Sequence, residues 1–543
     1  MNPTHSTLLS QATLAHLAGE VGTAKKNYKL LLELDGKNPE VLFQLSLLFW
    51  DTSDLSNAIK YMKLALIQHQ KDPAYWELLV CLYVANKKNQ LANTAAEGAR
   101  NFGHKINRKQ DTIARLFSEQ YLVNAYLNGQ YFLVIWMSQR GSTRRLTSAA
   151  SNLQAMAYSK LGDQTRAEQV FQEALLLDPK NPFLLSNYGL LLKNQKRYER
   201  AVETLHKAVK LERNSANIFN NLAVSYEELG DLSNASLMYK KALKCKQENA
   251  TVYLNYLSLC TQLNLFGDRD GFKHQVPSKE FKYLILKVIS GLLNRDFTAC
   301  RKYLNYIKLE YERLVSDPID GKFVHGYYKF LRELLPSLKS NNTETSLLFH
   351  LGESHSLSFS WQEVLFRGEL HRLRPMTTFG AKAYHFTTAG NNKYKAITDY
   401  NISQTPKECS VLVSFGEIDC RSDEGFIRVS RKLGVDSKDL IKDVVLRYVG
   451  WFEQYSAERE FLFFNLPAPT YKEEISQALN HEVATNIETY NTHLLDVCIA
   501  KGFSVIDLYS VTKMTSGFSN NLYHVDGFHV GPTVLPKLHL SDL

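Results

Sequence analysis

The sequence predicts two unlike architectures in one chain: an all-α helical-repeat solenoid, then an α/β/α domain built on a parallel sheet. Three observations carry this. Small and bulky residues recur at a fixed 34-residue step through much of the first half. From about residue 341 that pattern gives way to short apolar runs separated by amphipathic stretches, as in βα units. And 543 residues exceed what one hydrophobic core organises. The expected division is 1–250 for the repeats, 251–340 for a helical cap or connector, and 341–543 for the α/β domain.

The repeats are clearest over 148–249. Ala167, Ala201 and Ala235 stand 34 residues apart, as do Ala174, Ala208 and Ala242, with Phe171, Leu205 and Tyr239 between them. Gly162 and Gly230 are two steps apart, with Lys196 midway. Asp178-Pro179-Lys180-Asn181-Pro182 marks a unit boundary. Small side chains let paired helices approach, the bulky residue fills the gap, and the turn residue separates the helices. Ala24 and Ala58 keep the same step, with Tyr28 and Met62 at the aromatic place and Asn38-Pro39 at a boundary. This pattern, over about 5–250, resembles the tetratricopeptide repeat (TPR). The resemblance implies a groove that holds a protein or peptide partner; scaffolding or dimerisation of the neighbouring domain is the plainer reading. Residues 74–145 read as degenerate helices.

In the α/β part, strand candidates are Ser346–Leu351, Val411–Phe415, Phe461–Asn465 and Ser504–Leu508. Helix candidates are Ser358–Arg372, Asp436–Gln454 and Ile475–Ala500. Fully apolar strands between helices imply a parallel sheet covered on both faces, with ligands at the strands' carboxyl ends. Asn341-Asn342-Thr343-Glu344 is the polar junction before it.

Chemistry is expected here. Ser354 follows the first strand candidate in Gly352-Glu353-Ser354-His355, and Asp526 precedes His529 by three residues near the end. A hydroxyl is a weak nucleophile at neutral pH, and a base oriented by a carboxylate activates it. Gly416-Glu417-Ile418-Asp419-Cys420-Arg421 follows a central strand, and Gly380 lies between. In that order the blocks resemble the SGNH (GDSL-like) hydrolase superfamily, of flavodoxin-like fold, over about 341–543. The resemblance implies Ser354 as nucleophile, His529 as general base and Asp526 as its orienter. The backbone N–H groups of Ser354 and Gly380 would contribute to an oxyanion hole. Glu353 stands where the family has Asp. Ile418 stands where the family has an oxyanion-hole Asn, and isoleucine donates no hydrogen bond. Gly416, Glu417, Asp419 and Arg421 would line the site, with a buried Asp419–Arg421 pair as the structural alternative. Cys420 reads as a core or site-wall thiol. His355, His385 and His524 read as packing or hydrogen-bonding residues. Asn465-Leu466-Pro467-Ala468-Pro469 reads as a turn or a pocket wall.

The expected function is therefore a serine-dependent ester hydrolase or O-acyltransferase, acting on an O-acetylated carbohydrate or glycoconjugate. The alternative is a non-catalytic interaction protein whose hydrolase-like domain only binds a ligand. No metal is expected, since no metal-ligand spacing is present. No cofactor is implied, although a transferase would need an acyl donor such as acetyl-CoA. The net charge of +9 is spread along the chain at places such as Lys25-Lys26, Lys87-Lys88 and Lys240-Lys241, without a nucleic-acid-reading motif. No apolar run reaches membrane-spanning length. The N-terminus lacks the pattern of a signal peptide, and the seven cysteines are scattered. A cytoplasmic location is expected. The oligomeric state is open.

Overall fold

The computed structural model describes residues 3–104, 119–140, 147–245, 249–265, 281–309, 321–338 and 345–542. The predicted junction at 341–344 lies outside them. The chain forms two compact units, Met1–Glu212 and Arg213–Leu543.

The first unit is built of antiparallel helix pairs, among them Pro39–Asp51 with Leu55–Gln68, Ser148–Lys160 with Gln164–Leu177, and Pro182–Asn194 with Tyr198–Leu211. Their starts are written locally. Asn38, Asp72 and Asn181 each cap a helix whose first residue is proline, and their side-chain oxygens accept otherwise unpaired N–H groups. The 34-residue step has a backbone counterpart. Gly19, Ser53 and Lys87 have positive φ at that interval, and Gly162 and Lys196 repeat it. Each makes the left-handed turn between paired helices. The periodic residues Ala167, Phe171, Ala201, Leu205 and Ala208 are all fully or almost fully buried.

The second unit opens with another such pair, Ala216–Leu229 and Leu232–Lys244, followed by helices Ala250–Gln262, Phe281–Leu293, Phe297–Leu309 and Gly321–Leu334. The positive-φ step continues from Gly230 to Asn264, so the repeat geometry outlasts its side-chain marks.

The α/β part of this unit holds a six-stranded mixed sheet: β1 Ser346–Gly352, β2 Glu363–Phe366, β3 Glu369–Thr377, β4 Ser410–Ser414, β5 Glu460–Phe464 and β6 Ser504–Ile506. Its order is β2-β3-β1-β4-β5-β6. All neighbours run parallel except β2 and β3. Residues 358–372, expected as a helix, instead contain β2 and the start of β3. Arg367 and Gly368, both at positive φ, form the two-residue connection of a hairpin, and that turn chemistry overrides the helical spacing of the apolar residues. The helices Ser437–Phe452 and Gln477–Lys501 agree with expectation.

Alternate strand residues serve two cores. Phe349, Leu351, Val411, Val413, Phe461 and Phe463 pack with Val445, Tyr448, Phe452 and Tyr490 of the helices. Leu348, Leu412, Leu462, Phe464 and Ile506 pack with Val530, Val534 and Leu535 of the C-terminal segment. Burial on both faces explains why the strands are apolar throughout. The strand order reverses on either side of β1, which makes the carboxyl ends of β1 and β4 the crevice where such sheets bind ligands.

Candidate functional site

The chain leaves β1 at Gly352, turns at Glu353, and enters a short 3-10 turn, Ser354–Leu357. Ser354 is 9% exposed. The C-terminal segment comes back to it as a tight loop closed by Val525 N–H to the His529 carbonyl and Gly531 N–H to the Tyr523 carbonyl, both 2.8 Å. Within the loop, Asp526 Oδ1 accepts the backbone N–H groups of Phe528 (2.8 Å) and His529 (2.7 Å). Asp526 Oδ2 lies 2.8 Å from His529 Nδ1. His529 Nε2 lies 2.8 Å from Ser354 Oγ. The three residues thus form one hydrogen-bonded chain across 175 residues of sequence. Burial opposes ionisation of Asp526, but His529 and the two backbone donors outweigh it and hold the carboxyl well below its usual range. An ionised Asp526 fixes the imidazole with Nδ1–H inward, leaving Nε2 toward the serine.

A second chain runs beside the first. Glu353 accepts the Ser354 hydroxyl and also binds His355 Nδ1. His355 Nε2 lies 3.2 Å from the Phe528 carbonyl, one residue before His529. Burial works against charge on both partners of this pair. The His355 cation outweighs it at Glu353, whose pKa falls; Glu353, Glu417 and the Phe528 carbonyl outweigh it at His355, whose pKa rises. Both are therefore charged at neutral pH. Ser354 Oγ has two acceptors in reach, Glu353 and His529, and the hydroxyl can pass its proton to the imidazole only when it turns to that side. Phe330, from helix Gly321–Leu334, stacks on the His529 ring at 4.0 Å between centroids.

The block after β4 divides its work. Gly416 has φ +121, and a Cβ there would stand 2.3 Å from the Tyr490 hydroxyl. That hydroxyl donates to the Phe415 carbonyl at 3.0 Å, so the close approach requires glycine. Asp419 does not pair with Arg421. It accepts the backbone N–H groups of Ala383 (2.7 Å) and Tyr384 (3.4 Å), fixing the loop just past Gly380. Burial raises its pKa to about 7. Arg421 instead forms a two-pronged pair with Glu417, Nε and Nη2 reaching Oε2 at 2.8 and 2.6 Å, and its guanidinium lies over the Phe528 ring at 4.2 Å. Ile418 is buried and contributes no donor. Cys420 is buried and its thiol pKa is pushed far up by burial, consistent with a core thiol.

Gly380 sits at φ +64 in the turn after β3, and Gly390, the other glycine near it, offers its carbonyl to Lys395. Among the described residues, neither Gly380 nor Gly416 makes a hydrogen bond to Ser354. Glu353, His355 and His529 present ligand-type atoms within 4.8 Å of one another. Those atoms are engaged with each other, with Ser354 and with the Phe528 carbonyl. Phe330, Lys472 and Phe528 were not marked by the sequence. Phe330 reaches the site from a helix outside the sheet domain and carries no local signal.

Comparison with known proteins bears on the repeats. Residues 149–181 and 216–249 match a tetratricopeptide-repeat family, 170–203 a second such family, and 189–230 a further TPR family. The chain contains tetratricopeptide repeats. A part of the chain is similar to the BBSome complex member BBS4 of Xenopus tropicalis, 31% identical over 119 residues. That match spans 22% of this chain and 22% of the relative, so the chain matches only about a fifth of the relative's length. Among solved structures, it is similar to PilF of Pseudomonas aeruginosa (20% identity, 41% of this chain and 98% of the other, TM-score 0.33). A TPR protein of Parabacteroides merdae is 16% identical, with 47% and 98% covered and a TM-score of 0.24.

Proposed function

We propose that the α/β domain is a serine-dependent acyl-transfer enzyme of the SGNH type, an ester hydrolase or O-acyltransferase. The observation that carries this reading is the Ser354–His529–Asp526 chain at the carboxyl end of β1. In this scheme Ser354 Oγ attacks the ester carbonyl as His529 Nε2 takes its proton. The tetrahedral intermediate collapses to an acyl-serine as the imidazolium returns that proton to the leaving alcohol. Water, or a second hydroxyl, then attacks the acyl-serine with His529 again as base, releasing the serine. Removing one oxyanion donor costs about 10²–10³ in turnover where it has been measured, so with Ile418 in place of the Asn a slow enzyme is expected. An O-acylated carbohydrate or glycoconjugate is the substrate class implied by the family likeness, with acetyl-CoA as an acyl donor for a transferase. The repeats would hold the protein partner or the protein that bears the substrate.

A fluorophosphonate, which phosphonylates an activated serine with loss of fluoride, tests this by intact mass. A single adduct on the wild type that is missing from Ser354→Ala and from His529→Ala supports the reading. Absence of any adduct on folded wild type favours a ligand-binding domain without turnover, with the TPR units as the working part.

A further inference from the structure

Beside the base loop lies a cleft lined by Arg421, Ser422, Thr470, Lys472, His524 and Phe528. Lys472 is placed in it with unusual definition. The side chain of Asn480, 2% exposed, accepts the Lys472 backbone N–H at 2.9 Å and donates to the Lys472 carbonyl at 2.8 Å. One buried amide therefore fixes both backbone polar groups of this residue. The ammonium it holds is partly withdrawn from water, and burial lowers its pKa. Among the described residues it forms no ion pair. Its contact is the Phe528 ring, 3.4 Å from Nζ to centroid. Glu417, Asp423 and Glu474 act on it electrostatically without forming an ion pair with it, and Glu417 is engaged by Arg421. A desolvated cation normally gains a carboxylate partner; here an aromatic face takes that place, and the residue lines the cleft. Phe528 is in turn bound at its carbonyl by His355 and precedes His529 in the chain, so the cation rests on the residue adjoining the base.

We propose that Lys472 forms a subsite for an anionic group on the substrate, a carboxylate, sulfate or phosphate near the ester. This deepens the acyl-transfer reading and rests on it. The substrate class becomes an acidic ester, such as an acylated uronic acid, instead of a neutral one.

Two fluorophosphonates of equal tail length, one ending in a carboxylate and one in a methyl ether, read the subsite through the rate of Ser354 labelling. The carboxylate probe should label wild type faster by on the order of tenfold, the ratio one charge-assisted contact of ~1.4 kcal/mol gives. Lys472→Gln should bring the ratio toward one, and Lys472→Arg should keep most of it. Equal rates on wild type, or a ratio that survives Lys472→Gln, would overturn the proposal while leaving the serine chemistry intact. If neither probe labels folded wild type, the acyl-transfer reading fails and a second measurement decides the subsite. Glucuronate, compared with methyl glucoside at matched ionic strength, should raise the Tm of wild type and of Lys472→Arg but not of Lys472→Gln. An equal rise in all three, or none, sinks it.

Discussion

The repeats and the serine site bury polar backbone and side chains under opposite rules. In the repeats, the same place is filled by different residues. The left-handed turn is made by glycine at 19, 162 and 230, by Ser53, by Lys87 and Lys196, and by Asn264. The place between the two small residues is Phe171, Leu205 or Tyr239. Each unit meets only its neighbours, so approximate volume and a turn suffice. At the serine site each group is held by particular partners at hydrogen-bond distance, and the decisive contact, His529 with Ser354, joins segments 175 residues apart. What differs is tolerance: redundancy spreads the consequence of a change through the repeats and concentrates it at the site.

The largest break in that comparison is expected at Asp526. Asp526→Asn keeps the shape but removes the charge that fixes the His529 tautomer, a change that costs about 10⁴ in turnover in the serine-protease triad. Phosphonate labelling of Asp526→Asn should slow by about 10³–10⁴, with the far-ultraviolet dichroism of the protein unchanged. A labelling rate within tenfold of wild type would mean that Asp526 serves the loop and not the base.

The two regions also differ in how far they could be read without a structure. The repeats were legible because their signal is periodic and local: alanine spacing, an Asn-Pro or Asp-Pro start, a turn residue. That Ser354, His529 and Asp526 could meet was legible because they lie in short blocks, one at the end of a strand and one near the end of the sequence. The geometry between blocks was not. Nothing near Asp419 announces that its partners are the N–H groups of Ala383 and Tyr384, and nothing near Lys472 announces Asn480. Residues 358–372 read as helix because their apolar residues also fit a helical spacing, and the decisive feature, two consecutive positive-φ residues at Arg367-Gly368, is a weak signal when the first is not glycine. The anchoring of Phe528 by His355 depends on contacts 173 residues apart.

That anchoring gives the next prediction. The folded pKa of His355 is raised from 6.5 to about 9, so its stabilising contribution is fully present below pH 6.5 and is lost as pH rises through 9. Glu353 is lowered from 4.5 to about 2, so its contribution is present above 4.5 and lost as pH falls toward 2. His355→Gln should therefore lower the Tm most between pH 4.5 and 6.5, and the gap to wild type should narrow above 9. A gap that is flat with pH would show that the ring matters for packing alone. Asp419 acts in the opposite sense to Glu353. Its folded pKa is raised from 3.8 to about 7, so it favours the fold at low pH and that advantage is lost as pH rises through 7.

In the repeats, Leu205→Ala removes a fully buried side chain that packs against Gly189. The cost should be about 2–5 kcal/mol of unfolding free energy, read as a lower urea midpoint by dichroism. Labelling of Ser354 measured without denaturant should change less than it does in Asp526→Asn. A loss of labelling as deep as that of Asp526→Asn would contradict the view that the repeats confine such changes.

The smallest effect is expected at Lys196, and it separates tolerance from indifference. Lys196 holds φ +61 where the same turn one step earlier and one step later uses glycine. A residue with a Cβ in this region carries about 1–2 kcal/mol of strain, while glycine adds about 0.5–1 kcal/mol of unfolded-chain entropy. Lys196→Gly should therefore stabilise the protein by about 0.5–1 kcal/mol, the difference between those two terms. If the Tm falls instead, the Lys196 side chain contributes contacts that outweigh the strain, and the turn place is less interchangeable than its spacing implies.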